Sequence, residues 1–72
     1  MNWPTREEVE QVRRKYPPGT MIMLIHMDDP QAPPPGTIGK VIGVDDTASL
    51  LVEWQTGGSL NVLYGIDQVK KI

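Results

Sequence analysis

The segment Tyr16-Pro17-Pro18-Gly19 divides the chain into two parts with different patterns. Proline disfavours helix at the residue before it and removes a backbone donor, so no helix can run through this segment. Before it, the apolar residues have helical spacing. After it, they form short runs separated by glycine, proline and aspartate. The sequence therefore predicts a mainly β fold with one N-terminal α-helix, and 72 residues suffice for a single domain, 1–72.

Residues 5–16 have the features of one short helix. Thr5 and Glu8 have the spacing of a capping box, in which each side chain accepts a hydrogen bond from the other residue's backbone N–H. Val9, Val12 and Tyr16 form a narrow apolar stripe. A helix of this length is marginal alone, so we expect the stripe to pack on the outer face of the first strand or on an adjacent surface.

The rest of the chain predicts about five short strands. Candidate strands cover residues 20–26, 37–44, 50–55, a short run ending near Val62, and 69–72. Gly39 and Gly43 interrupt the second run, which is typical of a bulge or a bend. A polar turn is expected at 45–49 and a tight turn at 64–67.

The hairpin after the third strand has a register that the apolar pattern can select. A three-residue loop at 56–58 sets Trp54 opposite Leu60 and Val52 opposite Val62, with a glycine in the left-handed conformation. A two-residue turn would place apolar residues beside Glu53 and Gln55, because a one-residue slip exchanges the faces. We expect the three-residue loop, with Trp54 in the core.

Composition excludes several kinds of chemistry. The chain has no cysteine, so disulfides, zinc–thiolate sites and iron–sulfur clusters are excluded. It has one histidine, His26, which we expect to be exposed or capping, and it has no phosphate-binding loop or nucleophile elbow. We therefore predict a protein that is not an enzyme and has no cofactor or metal.

The N-terminus lacks a basic region followed by an apolar stretch, and the longest apolar run is Met21 to Ile25. A membrane span needs about 20 apolar residues. We therefore expect a cytoplasmic protein that does not enter a membrane.

Two acidic pairs, Asp28-Asp29 and Asp45-Asp46, invite comparison with calcium sites. Neither has the alternating spacing of a calcium loop, and aspartate commonly forms turns by accepting from nearby backbone N–H groups. We predict turns at both pairs.

Trp3, just before the helix cap, is expected to pack on the helix or the barrel.

The runs GTIGKVIGVDD and SLLVEWQTGGSLNVLYGID resemble the strand–turn–strand pattern of SH3-like and KOW-type barrels. They are also similar to the SH3-like repeats of mind-bomb-type ubiquitin ligases in their G-x-V and V-x-W-x-x-G elements. This resemblance implies a small five-stranded SH3-like barrel over residues 20–72.

A longer resemblance covers nearly the whole chain. YPPGT, MDDPQAPPPGTIG, VDD, VEW and GSLNVLYGID are similar to an uncharacterised small-domain family of phages and integrative elements of Gram-positive bacteria. The resemblance implies an accessory protein of a phage or mobile element.

From these observations we expect a non-enzymatic module that binds an unknown protein partner. The loop 27–36 is stiffened by four prolines, which lowers the entropy lost when it presents a binding surface. The candidate partner-binding residues are Asp28, Asp29, Pro33, Pro34, Pro35 and Tyr64.

Nucleic-acid binding is the alternative. It would use basic residues near the helix end and the last strand, if the two are neighbours: Arg13, Arg14, Lys15, Lys70 and Lys71. The net charge of −2 argues against it, because phosphate contacts supply most of the affinity of such proteins.

Overall fold

The computed structural model describes residues 4–72, and Trp3, with its expected packing, lies outside the described residues. One helix precedes five strands: α1 (Arg6–Lys15), β1 (Met21–His26), β2 (Ile38–Val44), β3 (Ser49–Trp54), β4 (Val62–Leu63) and β5 (Gln68–Lys71). The mainly β fold with one N-terminal helix is confirmed.

The strands form one antiparallel sheet in the order β4-β3-β2-β1-β5. The sheet is not closed, because β4 and β5 are its two edges. Between these strands the backbone makes a turn: Ile66 N and Asp67 N both donate to Leu63 O, at 3.1 and 2.9 Å. The predicted turn at 64–67 is confirmed, while the five strands form an open sheet where the sequence suggested a barrel.

Helix α1 has both bonds of the predicted capping box. Glu8 N donates to Thr5 Oγ1 at 3.1 Å, and Thr5 N donates to Glu8 Oε1 at 3.2 Å. The helix ends where Tyr16 N donates to Val12 O, just before the proline pair. Within residues 4–72, no helix is long and apolar enough to cross a membrane.

The apolar stripe of α1 is buried, but not against the outer face of β1. Val9, Val12 and Tyr16 are each 5% exposed or less and belong to one core with the inner face of the sheet. The expected position on the outer face of β1 was wrong, since Met21 and Ile25 there remain 40% and 41% exposed. Backbone bonds from Gly19 N to Val41 O and from Val41 N to Thr20 O hold the segment after the helix beside β2. The helix therefore covers the inner face.

The core consists of alternate residues from the strands together with the helix stripe. Its fully buried members are Ile22, Leu24, Val41, Leu50, Val52 and Val62. Trp54 is 4% exposed, and its indole Nε1 donates to Leu60 O at 2.8 Å. The prediction that Trp54 is a core residue is confirmed.

The β3–β4 hairpin has a different register from the predicted one. Leu50 lies opposite Val62, so the pairing of Val52 with Val62 was wrong by two residues. Trp54 N donates to Gly58 O and Gly57 N to Trp54 O, which closes a three-residue loop at 55–57 with Gly57 at φ 95°. The loop length and the left-handed glycine are confirmed, but the loop begins one residue earlier than the predicted 56–58. A shift of two residues preserves the face, so Val62 stays in the core.

The two glycines of β2 have different roles. The ladder with β3 shifts register between Val41 and Gly43, which confirms the predicted bulge there. Gly39 pairs regularly with Trp54, so no bulge explains it. Its reason is steric, because a Cβ at residue 39 would lie 2.7 Å from Trp54 Cε3.

Candidate interaction surface

One aspartate of each acidic pair forms a turn, as predicted for these segments. Asp45 Oδ1 accepts from Thr47 Oγ1 at 2.6 Å, from Thr47 N at 2.9 Å and from Ser49 N at 3.0 Å. These hydrogen bonds hold the pKa of Asp45 below its ordinary value, and the bond from the Thr47 hydroxyl contributes most. Desolvation by burial opposes them. At the other pair, Asp29 Oδ1 accepts from Gln31 N at 2.8 Å.

Metal-ligating side chains do not gather in the described part of the chain. Within residues 4–72, no three His, Cys, Asp or Glu residues form a group that could hold an ion. His26 is exposed at the end of β1, opposite Gln68 of β5. Its expected exposure is confirmed.

The proline-rich loop is anchored at its base to β1. Gly36 N donates to Leu24 O, and both Thr37 N and Thr37 Oγ1 donate to Pro34 O. Pro34 and Pro35 are exposed, while Pro33 is partly buried. Among residues 4–72, no hydrogen bond joins this loop to Tyr64, so the predicted partner-binding residues do not form one bonded cluster.

The turn between β4 and β5 presents large apolar side chains to solvent. Leu63 is 46%, Tyr64 45% and Ile66 73% exposed. The turn is closed by a side chain, because Leu63 N donates to Asp67 Oδ2 at 2.9 Å. Beside it lies a groove of about 620 Å³, here called the 63–66 groove, lined by Pro4, Glu8, Thr47, Ser49, Leu63, Tyr64 and Ile66.

A second feature adjoins this groove at the C-terminal end of α1. The rings of Tyr16 and Tyr64 meet edge to face, with centroids 6.1 Å apart. Lys15 Nζ lies 5.5 Å from the Tyr16 centroid and 5.6 Å from that of Tyr64, and it donates a long bond of 3.5 Å to Tyr64 Oη. Lys71 Nζ lies 5.4 Å from the Tyr16 centroid. We call these four residues the lysine–tyrosine cluster.

The predicted basic residues are only partly brought together. Lys15 and Lys71 meet at the cluster, so the helix end and the last strand are neighbours as the alternative required. Arg13 is engaged elsewhere, with Glu10 Oε1 at 3.0 Å, Asp46 Oδ1 at 3.4 Å and the carbonyl of Val44. Lys70 lies opposite Met23, one position from Lys71 and therefore on the other face of the sheet. Arg14 is exposed.

The sequence interpretation included Tyr64 but missed Leu63 and Ile66. The sequence LYGID could have indicated them, because two large aliphatic residues lie in a glycine turn where polar residues are usual. Tyr16 was predicted only as a member of the helix stripe, and its contact with Tyr64 was not predicted.

These elements define a small β domain: an open antiparallel sheet, one capped helix over its inner face, and an exposed apolar turn beside paired lysines. Residues 5–72 match the family described as "Domain of unknown function (DUF4314)", and the chain belongs to this family. The resemblance to an uncharacterised domain family is thereby confirmed. Searches of curated proteins and of solved structures each gave no match.

Proposed function

We propose that the protein is a non-enzymatic interaction module that binds a protein partner through the 63–66 groove. One observation carries the proposal: Leu63, Tyr64 and Ile66 are exposed together on a turn that hydrogen bonds hold in place. Clustered exposed apolar side chains rimmed by polar residues mark interaction sites more often than isolated ones do. A turn fixed before binding also loses less entropy on association.

The SH3-like classification is part of the same proposal. The strand order supports it: β1 to β4 follow one another as a meander, and β5 returns to pair with β1. The role as a cytoplasmic accessory protein of a phage or mobile element rests on the sequence resemblance alone. Of the predicted partner-binding residues, Tyr64 belongs to the proposed surface, and the proline-rich loop is a separate candidate.

Affinity capture with matched variants tests this function. We expect the tagged domain to retain specific proteins from cells that express it, and Ile66→Ser to lose them. Ile42→Ser is the control, because Ile42 is also exposed, at 48%, but lies in β2 away from the turn. Loss with both variants, or retention with both, would contradict the proposed surface.

Nucleic-acid binding is the second candidate, favoured by the placement of Lys15 and Lys71 beside two tyrosines. Aromatic rings and cations together bind single strands in other proteins. Arg13, however, already pairs with two carboxylates, and the net charge is −2. We expect no saturable binding of labelled single-stranded or duplex DNA at low salt. Saturable binding that weakens steeply with added salt would favour this second function.

A further inference from the structure

Lys15 and Lys71 of the cluster lie beside the same tyrosine ring, and within residues 4–72 neither forms an ion pair with a carboxylate. Lys15 Nζ and Lys71 Nζ both lie within 5.5 Å of the Tyr16 centroid. Two cations beside one ring repel each other, and 0.1 M salt screens this repulsion over about 10 Å. Within residues 4–72, both ion pairs involve Arg13, and neither includes these lysines. An anion bound at this position would relieve the repulsion.

The tyrosine rings limit where the ammonium groups can lie. Lys15 contacts the rings of both Tyr16 and Tyr64, and Tyr16 is itself 5% exposed and therefore held by the core. A cation beside an aromatic face is attracted by the negative charge density of the ring. The lysine heads are thus positioned before an anion arrives, which lowers the entropy lost on binding.

The charge of the adjoining groove favours a peptide over a polyanion. Glu8 lines the same groove as Tyr64, and it precedes Lys15 by seven positions on α1. Residues seven apart share one side of a helix and are separated by about 10 Å along its axis. The groove therefore carries an acidic side chain in its lining and adjoins two lysines beside Tyr16 and Tyr64. A nucleic-acid strand would bring phosphates toward Glu8, whereas a peptide can carry a different residue at each end.

We propose that Lys15 and Lys71 bind a carboxylate of an acidic, extended segment of the partner protein, while an apolar neighbour of that residue packs on Leu63 and Ile66. This inference rests on the proposed function and specifies the partner's chemistry. The tyrosine hydroxyl that Lys15 now contacts at 3.5 Å is a weaker acceptor than a carboxylate, so the ammonium gains by exchanging it.

Selection from a displayed library of random peptides tests the inference on the intact protein. We expect enriched peptides to contain aspartate or glutamate next to an aliphatic or aromatic residue. Enriched peptides that need Ile66 but carry no acidic residue would overturn the inference and leave the proposed function standing. A selection that enriches nothing over Ile66→Ser would overturn both.

Charge-removing variants measure the lysine contribution with a selected peptide. Lys15→Gln and Lys71→Gln should each weaken binding by about tenfold, the effect of one hydrogen bond between charged groups. Lys40→Gln is the control, since Lys40 is exposed in β2 on the outer face of the sheet. Equal affinity of Lys15→Gln and Lys40→Gln would overturn the inference. A thymidine oligonucleotide that displaces the peptide at lower concentration would also overturn it and assign the cluster to nucleic acid.

Discussion

Gly39 of β2 lies directly against the indole of Trp54, its partner across the ladder with β3. A Cβ on Gly39 would stand 2.7 Å from Trp54 Cε3 and 2.5 Å from Val52 Cγ1. Carbon atoms in contact are best separated by about 3.5–4.0 Å, so both distances are far too short. The absence of a side chain at residue 39 therefore allows Trp54 and Val52 to pack directly against the backbone of β2.

Gly39→Ala should lower the free energy of unfolding by about 1–3 kcal/mol, because the added methyl group forces Trp54 or Val52 from its position. Gly43→Ala is the matched control in the same strand, where a Cβ would meet Leu51 at an ordinary 3.7 Å. Urea unfolding followed by tryptophan fluorescence measures both. Equal stability of the two variants would mean that Trp54 does not depend on the glycine.

Local signals in the sequence predicted the parts of the fold that local chemistry determines. The capping box of α1 and the left-handed glycine of the hairpin each depend on residues within one turn of each other. The register of β4 does not, because pairing of Val62 with Leu50 or with Val52 buries the same face. The choice depends on where the loop closes, and Trp54 N bonding to Gly58 O decides it.

Val12→Asp should cost about 3 kcal/mol or more, because it places a carboxylate without a partner in the core. Val12 is 5% exposed and packs in the cluster that includes both helix and sheet residues. Gln11→Asp introduces the same side chain at the neighbouring exposed position and should change stability by less than about 0.5 kcal/mol. Thermal unfolding by circular dichroism compares the two. If Val12→Asp melts at the wild-type temperature, the helix does not contribute to the core.

Asp45 gives stability a specific dependence on pH. Its folded-state pKa is lowered, chiefly by the hydrogen bond from the Thr47 hydroxyl. Its contribution is therefore fully present above the unfolded pKa of about 3.9 and is lost as the pH falls through the folded value. Asp45→Asn should be less stable than wild type near neutral pH, and the difference should shrink as the pH falls below about 4.

Urea unfolding at a series of pH values from neutral to acid tests the Asp45 prediction. Asp28→Asn is the control, because Asp28 is exposed and its side chain makes no hydrogen bond within residues 4–72. It should keep the wild-type pH profile. A constant difference between wild type and Asp45→Asn across the series would contradict the prediction, because the stability of the wild type would then not depend on the ionisation of Asp45.

The candidate site was less predictable than the fold, because its residues are distant in the sequence. Tyr64 was among the predicted partner-binding residues, but its contact with Lys15 spans 49 positions. Lys70 and Lys71 are adjacent and identical in the sequence. They lie on opposite faces of β5, and Lys71 is the one beside Tyr16. Arg13 has the same charge as Lys15, yet the carbonyl of Val44 and two carboxylates already engage it.

Deletion of residues 1–16 tests whether the sheet folds without the helix. The deletion removes Val9, Val12 and Tyr16, which cover the inner face, and exposes core residues such as Ile22 and Val41 to water. In a domain this small, the remaining apolar burial barely offsets the conformational entropy of folding, so we expect loss of the thermal transition and of amide dispersion in NMR spectra. A synthetic peptide of residues 4–16 added in excess should partly restore both, since a ligand that binds only the folded state stabilises it by mass action. If instead the truncated protein keeps the wild-type melting temperature and a dispersed spectrum, the helix is a detachable arm, and the core that it shares with the sheet contributes little to stability.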